Sequence, residues 1–155
     1  ILYERIPMNV ELRLIQPTLE GNTEFLSLLE SAEVLDMTVK FYARIGYSLP
    51  WVGYFAMVDG VIVGSGGFKG RPMQGKVEIA YGTFTPFQSR GVGTRICQLL
   101  VDIARLSDPL VAITARTLRK EHSHSARILR KNNFVKKGTV VDPEDGKVWE
   151  WEYTG

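Results

Sequence analysis

The chain has 155 residues, of which 45% are hydrophobic, and a formal net charge of +2. A chain of this length buries a sizeable core and lies near the usual size of one domain, so we expect residues 1–155 to form a single domain. It contains no run of 18 apolar residues and no signal-peptide segment at its start, so we expect neither membrane insertion nor export, and a cytoplasmic location. The single cysteine, Cys97, is expected to be a buried structural thiol.

The first 45 residues predict one strand and two helices. Residues 10–15 alternate between apolar and polar side chains, as a half-buried strand does. Residues 34–45 predict the second helix. The first helix is predicted behind an N-cap at Asn22 or Thr23. Its apolar positions recur at helical spacing and are Phe25, Leu28, Leu29 and Ala32.

Three antiparallel strands are predicted next. Asp59 and Gly60 join two strand-like runs, which favours a hairpin with a two-residue type I′ turn. A third strand over residues 76–84 follows a second turn. It leads directly into a loop that contains two glycines.

The loop opens into an amphipathic helix, and this junction has the properties of a phosphate site. The apolar face of the helix is formed by Val92, Ile96, Leu99, Leu100 and Ile103. The start of a helix offers unpaired N–H groups and a positive dipole end to an anion. Since Gly91 and Gly93 lack Cβ atoms, we expect an anion to approach the main chain there, with added charge from Arg90 and Arg95. An ordinary tight turn is the alternative.

The remainder predicts a parallel strand, a short helix and a closing hairpin. Residues 110–117 form a β-branched strand after the helix, and this order favours parallel pairing. Residues 123–131 predict a helix, with Asn132 or Asn133 as a left-handed cap. Residues 134–141 and 147–153 form the hairpin. Its aromatic stripe, Trp149, Trp151 and Tyr153, is expected to be core or a dimer surface.

The loop reads Q-S-R-G-V-G over residues 88–93 and resembles the Q/R-x-x-G-x-G/A signature of the GNAT acetyltransferases. The likeness extends from about residue 9 to the end. Two other phosphate motifs fit less well, because residues 75–77 lack the hydroxyl of a Walker A loop and residues 64–69 end in lysine where a dinucleotide fingerprint needs glycine.

The resemblance implies an α+β fold: a mixed, mostly antiparallel sheet of about seven strands with helices on both faces. It also implies acetyl-CoA as co-substrate, with its pyrophosphate on the loop and its pantetheine arm along the preceding strand as an added strand. The residues implied to bind acetyl-CoA are Thr83, Phe84, Gln88, Ser89, Arg90, Gly91, Val92, Gly93, Thr94, His122 and Ser125.

A second family element covers residues 121–134 and is similar to that of the ribosomal-protein N-terminal acetyltransferases. Ser125 matches the family serine. His122 stands in the usual asparagine position and Asn133 in the glycine position, which changes a pantetheine contact, since imidazole is larger and bonds differently. Leu129 stands where other branches carry a tyrosine acid. His122 and His124 lack further ligands at suitable spacing, so we expect no metal site.

The resemblance also suggests catalytic roles for two residues. Glu78, on the strand that leads into the loop, is the expected base for the acceptor amine, directly or through water; a salt-bridged or solvated glutamate is the alternative. Ser125 is expected to help protonate the leaving thiolate, with helix capping as its alternative role.

Charge is unevenly distributed along the chain. Residues 116–137 carry eight basic side chains and one acidic one, and all five charged residues between 15 and 39 are acidic. Solvated faces explain both segments; alternatively, the basic one faces the phosphates of CoA through some of Arg119, Lys120, Arg127 and Arg130, and the acidic one faces a cationic substrate. Without interleaved aromatic residues, the basic segment does not predict nucleic-acid binding.

The sequence therefore predicts an acetyl-CoA-dependent N-acetyltransferase that acts on a primary amine of a small molecule or a peptide N-terminus. The alternative is a non-catalytic module that binds acyl-CoA and regulates a partner. We expect a monomer or homodimer that binds neither nucleic acid nor membrane.

Overall fold

A single mixed sheet organises the fold. The computed structural model describes residues 9–25 and 29–155. The elements in chain order are β1 (Val10–Leu14), a 3₁₀ helix (Glu20–Phe25), α1 (Leu29–Ile45), β2 (Gly53–Val58), β3 (Val61–Phe68), β4 (Lys76–Thr83), a 3₁₀ turn (Thr85–Phe87), α2 (Val92–Ser107), β5 (Ala112–Thr117), α3 (His124–Lys131), β6 (Phe134–Asp142) and β7 (Gly146–Tyr153). The seven strands pair in the order β1-β2-β3-β4-β5-β7-β6.

The helices cover both faces of the sheet, as predicted. Gly53 lies opposite Gly67 in the register of β2 and β3, so both side-chain positions point to the same face. A Cβ atom on Gly53 would lie 3.1 Å from a methyl group of Thr38 on α1. A Cβ atom on the next residue of β3, Gly66, would lie 2.7 Å from a methyl group of Ile96 on α2. Because successive strand residues alternate in direction, α1 and α2 lie on opposite faces.

The prediction for the first helical region was wrong in its boundaries. Val34 lies inside α1, which continues unbroken from Leu29 to Ile45 because that stretch contains neither glycine nor proline. Asn22 does not begin a regular helix. Its side chain accepts from the Gln16 N–H at 2.8 Å and donates to the Gln16 and Thr18 carbonyls, which closes the loop after β1. The predicted helical position Leu28 lies outside the described residues.

The two predicted hairpins are confirmed. Asp59 and Gly60 take φ values of 49° and 79°, the left-handed conformation that a type I′ turn requires at both positions. In the second hairpin, β6 pairs antiparallel with β7. The Asp142 carboxylate accepts the N–H groups of Glu144 and Asp145 within the turn. Trp151 is 1% exposed, so this member of the aromatic stripe belongs to the core.

The parallel pair β4–β5 separates before β4 ends. The two strands pair only from Lys76 opposite Ala112 to Ile79 opposite Ala115. Beyond Ala115, β5 continues its pairing with β7, whereas β4 continues its pairing with β3. Within the described residues, no strand therefore pairs with the β5-facing edge of β4 over residues 80–83. An extended ligand can pair with that edge.

Candidate active site

The first turn of α2 presents open main-chain donors. Gly91 is the N-cap residue, with φ of 83°, and no side chain caps the helix. A Cβ atom on Gly91 would meet nothing within 4 Å. The first N–H groups of a helix have no intrahelical partners, so this turn offers them to an external anion. The backbone at Gly91 is thus open to an anion, and its role in binding the cofactor stays a prediction.

Gly93 has a packing role beside its predicted role in binding the cofactor, which stays a prediction. A Cβ atom at this position would lie 2.8 Å from Cδ1 of Ile128 on α3 and 3.4 Å from the hydroxyl of Thr83. Gly93 thus permits close packing between α2 and α3. The side chain of Asn132 adds a hydrogen bond to the Thr94 carbonyl at 3.2 Å. These contacts hold α3 beside the loop, so that the first turn of α3 and the loop line one cavity.

This donor cavity, as we call it, has a volume of about 1000 Å³ between the end of β4, the loop and α3. The side chain of Gln88 spans the loop entrance and donates to the Thr83 carbonyl at 3.3 Å. Predicted site residues in the lining are Thr83, Gln88, Ser89, Arg90, Gly91, Val92, Gly93, Thr94 and Ser125.

Two predicted cofactor residues do not line the donor cavity. Phe84 is buried, and its N–H donates to the Val63 carbonyl on β3. His122 is exposed before α3, and its carbonyl accepts from the guanidinium of Arg127. The lining contains His124 instead. The helical start at His124 explains this difference, because it places His124 and Ser125 in the first turn of α3.

The structure separates Ser125 from the helix cap. Ser123 is the N-cap of α3, and its hydroxyl accepts from the Ala126 N–H at 3.1 Å. Ser125 is exposed and lines the donor cavity. The capping role that was the alternative for Ser125 therefore belongs to Ser123.

The predicted basic residues separate into two groups. Arg127 lines the donor cavity, together with Lys131, which the sequence did not single out. Arg130 instead pairs with Glu121 at 2.6 Å and lies over the Trp151 ring at 5.1 Å. Arg119 and Lys120 are exposed and lie outside the lining.

A second cavity, the acceptor cavity, occupies the α1 face of the sheet. It has a volume of about 680 Å³, within the usual range of ligand pockets. Its floor includes Ser65, Gly67, Ala80 and Gly82, and one wall is α1, with Phe41 among its side chains. The sequence carried no motif for this cavity, because its residues come from six separated segments.

The two cavities meet at Tyr81 and Gly82, which line both. The Tyr81 hydroxyl and the Cys97 thiol interact, and burial raises the pKa of both groups. Since the pKa of Cys97 reaches about 12, its thiol is protonated at neutral pH, in agreement with the predicted structural role. Tyr81 and Gly82 were missed in the sequence, where they appear as ordinary strand residues.

Glu78 lies on the face of β4 that carries Ala80 and Gly82, at the margin of the acceptor cavity. Its carboxylate lies 3.6 Å from Nε of Arg116, which also contacts Asp142 and Glu150. Burial raises the pKa of Glu78 above its ordinary value of 4.5, and the Arg116 charge opposes that shift. Glu78 is thus ion-paired, and it does not line either cavity.

The comparisons with known proteins agree with this geometry. The model of the acetyltransferase (GNAT) family matches residues 22–134. The chain belongs to this family, whose members are acetyl-CoA-dependent acyltransferases. No curated protein matches the chain in sequence.

Solved structures of acetyltransferases share the fold. An aminoglycoside acetyltransferase AAC(6')-Ib in complex with coenzyme A has a TM-score of 0.68 and 21% identity, with 94% of this chain and 95% of that chain covered. RimL, a ribosomal L7/L12 alpha-N-protein acetyltransferase in complex with coenzyme A, has a TM-score of 0.67 and 17% identity, with 96% of this chain and 97% of that chain covered. A spermidine N-acetyltransferase SpeG chimera from Vibrio cholerae and hSSAT has a TM-score of 0.68 and 12% identity, with 93% of this chain and 94% of that chain covered.

The residues present fit acetyl-CoA as co-substrate. Gly91 leaves the uncapped turn of α2 open to a pyrophosphate, and Arg90, Arg127 and Lys131 add positive charge to the lining. The unpaired edge of β4 over residues 80–83 suits the amide groups of a pantetheine arm. No helix in the part of the chain that the structure describes has the length and hydropathy of a membrane span.

Proposed function

We propose that this protein transfers the acetyl group of acetyl-CoA to a primary amine of a small molecule or of a peptide N-terminus. The meeting of the donor and acceptor cavities at Tyr81 and Gly82 carries this proposal. A thioester held along the edge of β4 would face an amine in the acceptor cavity. Contact between two positioned reactants supplies a large part of the rate of such a reaction.

The names of the structural relatives support an amine acceptor. They describe acetylation of spermidine, of aminoglycosides and of a ribosomal protein N-terminus. The three acceptors share an amine and little else. We therefore propose only that the acceptor of this chain is an amine. The rest of the acceptor's chemistry has to be inferred from the residues that line the acceptor cavity.

The reaction forms a nitrogen–carbon bond and breaks the carbon–sulfur bond of the thioester. The amine loses a proton and the thiolate gains one. A main-chain N–H of β4 between residues 80 and 83 would donate to the carbonyl oxygen as it becomes negative. Because this donor belongs to a sheet strand, it needs little reorganisation during the reaction.

We propose Glu78 as the base that receives the amine proton, through a water molecule. An alkylamine has a pKa of about 10.4, so nearly all of it is protonated at neutral pH and needs a base. Glu78 lies on the acceptor face of β4, and its raised pKa brings it closer to the working range of a base. Arg116 contacts the carboxylate at 3.6 Å, and its charge opposes the rise in the pKa of Glu78.

We propose Ser125 as the donor of a proton to the departing thiolate. Ser125 lines the donor cavity, and the helix cap is Ser123. Burial raises the pKa of the Tyr81 hydroxyl, and Leu129 has no proton to donate, so neither replaces Ser125 as the acid. The proton of Ser125 is replaced from solvent.

A thiol-release assay with a panel of primary amines tests the proposed function. We expect release of CoA that depends on the amine and yields an N-acetylated product by mass spectrometry. Calorimetry with CoA serves as the control for a competent donor cavity. CoA binding without release for any amine would favour the alternative, a non-catalytic acyl-CoA-binding module.

We propose that residues 1–155 form one catalytic domain, since the seven strands from Val10 to Tyr153 share one sheet. A monomer or homodimer, a cytoplasmic location and the lack of nucleic-acid or membrane partners stay predictions. Sedimentation of the purified chain tests the first of them.

A further inference from the structure

Gly82 differs from the other glycines in the part of the chain that the structure describes. Eight of them have positive φ values, between 71° and 153°, a conformation that favours glycine. Six more have no room for a Cβ atom, which would lie 3.1 Å or less from an atom of another residue. Gly82 has neither property, since its φ is not positive and a Cβ atom on it would meet no described atom within 4 Å. Neither backbone conformation nor packing therefore requires glycine at residue 82.

A glycine at this place lowers the stability of the protein. Gly82 is the penultimate residue of β4, which ends at Thr83. Glycine loses more conformational freedom on folding than alanine does, and it has no side chain to pack in a strand. An alanine with the same φ would thus stabilise the folded state. Within a strand, such a glycine is typical of a place where a ligand approaches the main chain.

The empty side-chain position of Gly82 points to the acceptor cavity. Gly82 pairs with Ser65 in the register of β3 and β4, so both residues point to one face of the sheet. Ser65 lies two residues before Gly67, which points to the α1 face, and Ser65 lines the acceptor cavity alone. The preceding side chain, Tyr81, points the other way, toward Cys97 on α2. A side chain at residue 82 would therefore project into the acceptor cavity.

The main chain of Gly82 belongs to the edge at which we place the thioester. The pairing of β4 with β5 ends at Ile79, and Gly82 lines the donor cavity together with Thr83. A thioester on this edge and an amine on the α1 face would approach each other beside the Cα atom of Gly82. A side chain at this residue would stand between the two reactants.

We propose that Gly82 is a specificity-determining residue, and that the space left by its missing side chain is the passage through which the acceptor amine reaches the thioester. This inference rests on the proposed acetyl transfer. The size of residue 82 then limits the substituents on the carbon that carries the amine. Glycine admits an amine on a branched carbon, such as the α-amino group of a peptide. A larger residue restricts the acceptor to an amine on an unbranched CH₂ group.

A conjugate that occupies both cavities tests the passage without turnover. In this probe the sulfur of CoA carries a CH₂–CO–NH–hexyl chain, so one molecule extends through the junction. We expect Gly82→Ala to weaken binding of the conjugate about tenfold, the scale of one methyl group added to a filled space, and Gly82→Val to weaken it further. Affinity for CoA itself should change little, because both variants keep the main-chain N–H and C=O of residue 82. Calorimetry measures both ligands.

Two pairs of acceptors test the specificity. They are hexylamine with heptan-2-amine, and Gly-Ala-Ala amide with Ala-Ala-Ala amide. The members of each pair differ by one methyl group on the carbon that carries the amine. The wild type should acetylate both members. In Gly82→Ala, kcat/KM should fall about tenfold more for the branched member than for the unbranched one, again the scale of one methyl group without space.

Gly60→Ala is the matched control. Gly60 also has open space at its Cβ position, but its φ is 79° and it lines neither cavity. Gly82→Ala should raise the melting temperature by about 2 °C, because alanine fits its φ, whereas Gly60→Ala should lower it and leave binding and turnover unchanged. A melting temperature lowered by Gly82→Ala would show a structural need for this glycine and overturn the inference.

The outcomes separate the inference from the proposed function. Four results would each overturn the inference and leave acetyl transfer standing: unchanged affinity of Gly82→Ala for the conjugate, equal losses for the conjugate and CoA, equal losses for branched and unbranched acceptors, or no reaction of the wild type with either branched acceptor while other amines react. If no amine reacts with the wild type although CoA binds, the proposed function fails. The conjugate then decides the inference, which stands if Gly82→Ala weakens the conjugate but not CoA and falls otherwise.

Discussion

The donor and acceptor cavities are built in different ways. The donor cavity takes seven of its fifteen lining residues from one contiguous stretch, residues 88–94, and includes the uncapped main chain at the start of α2. The acceptor cavity takes its lining from six separated segments: Ile15 after β1, α1, β2, the end of β3, β4 and the turn after β6. A main-chain site needs glycine at a few fixed positions, whereas a side-chain site is shaped by every segment that reaches it. The two cavities therefore respond differently to substitution.

Removal of the base on the acceptor side should have the largest effect. Glu78→Gln keeps the shape of the side chain, and we expect turnover to fall by roughly 10² to 10⁴-fold, the usual scale for a positioned base. Burial raises the pKa of Glu78 above 4.5, and a base acts when deprotonated, so wild-type turnover should fall as pH drops through this raised value. The variant should lose that acidic limb and keep its CoA affinity.

Steady-state pH profiles and calorimetry check this prediction. Glu150→Gln is the matched control, since Glu150 also contacts Arg116, at 3.8 Å, but lies on β7. Full turnover in Glu78→Gln with the wild-type acidic limb would assign the base elsewhere.

On the donor side, Gly91→Glu should nearly abolish CoA binding. The substitution sets a carboxylate at the uncapped start of α2 and forces a side chain onto a residue at φ of 83°. We expect affinity to fall by at least about 100-fold, or about 2.7 kcal/mol. Calorimetry measures the change.

Gly60→Glu separates backbone strain from loss of the anion site. Gly60 has a similar φ of 79° in the β2–β3 turn and open space around it. This control should lose stability but bind CoA normally. Unchanged affinity in a folded Gly91→Glu protein would contradict the assignment of the pyrophosphate to this loop.

The pair Ser125 and Ser123 distinguishes chemistry from capping within α3. Ser125→Ala should lower turnover about tenfold with little change in melting temperature, a small effect for an acid because a thiol with a pKa near 8.5 needs little help to leave. Ser123→Ala should cost about 1 kcal/mol of stability through the lost cap and leave turnover nearly unchanged. If Ser125→Ala lowered stability and Ser123→Ala lowered turnover, Ser125 would be the helix cap.

The smallest effect is expected at Gly93. Gly93→Ala places a Cβ atom against the end of the Ile128 side chain, and we expect a loss of about 1 kcal/mol in the free energy of unfolding. The double variant with Ile128→Val, which removes Cδ1, should recover most of it. Thermal and denaturant unfolding measure both. Unchanged stability in Gly93→Ala together with weaker CoA binding would show that Gly93 serves the anion after all.

Local patterns predicted much of the fold. Alternation indicated β1, the Asp59 and Gly60 pair indicated the type I′ hairpin, and helical spacing indicated α2, because each pattern depends on residues adjacent in the chain. The predicted break between two helices near Val34 was wrong because that prediction also used only residues adjacent in the chain. Periodicity alone does not decide whether two apolar stretches belong to one helix, and α1 continues through that residue.

The sequence by itself determined the family resemblance and the need for glycine at residue 91, where φ is 83°, since both depend on a short contiguous segment. Only the tertiary structure decided that Gly93 packs against Ile128, that Ser123 rather than Ser125 caps α3, and that the two cavities meet at Tyr81. The physical reason is distance along the chain. Arg44 and Lys69 line the same cavity only because α1 packs across the sheet, and no local pattern records that contact.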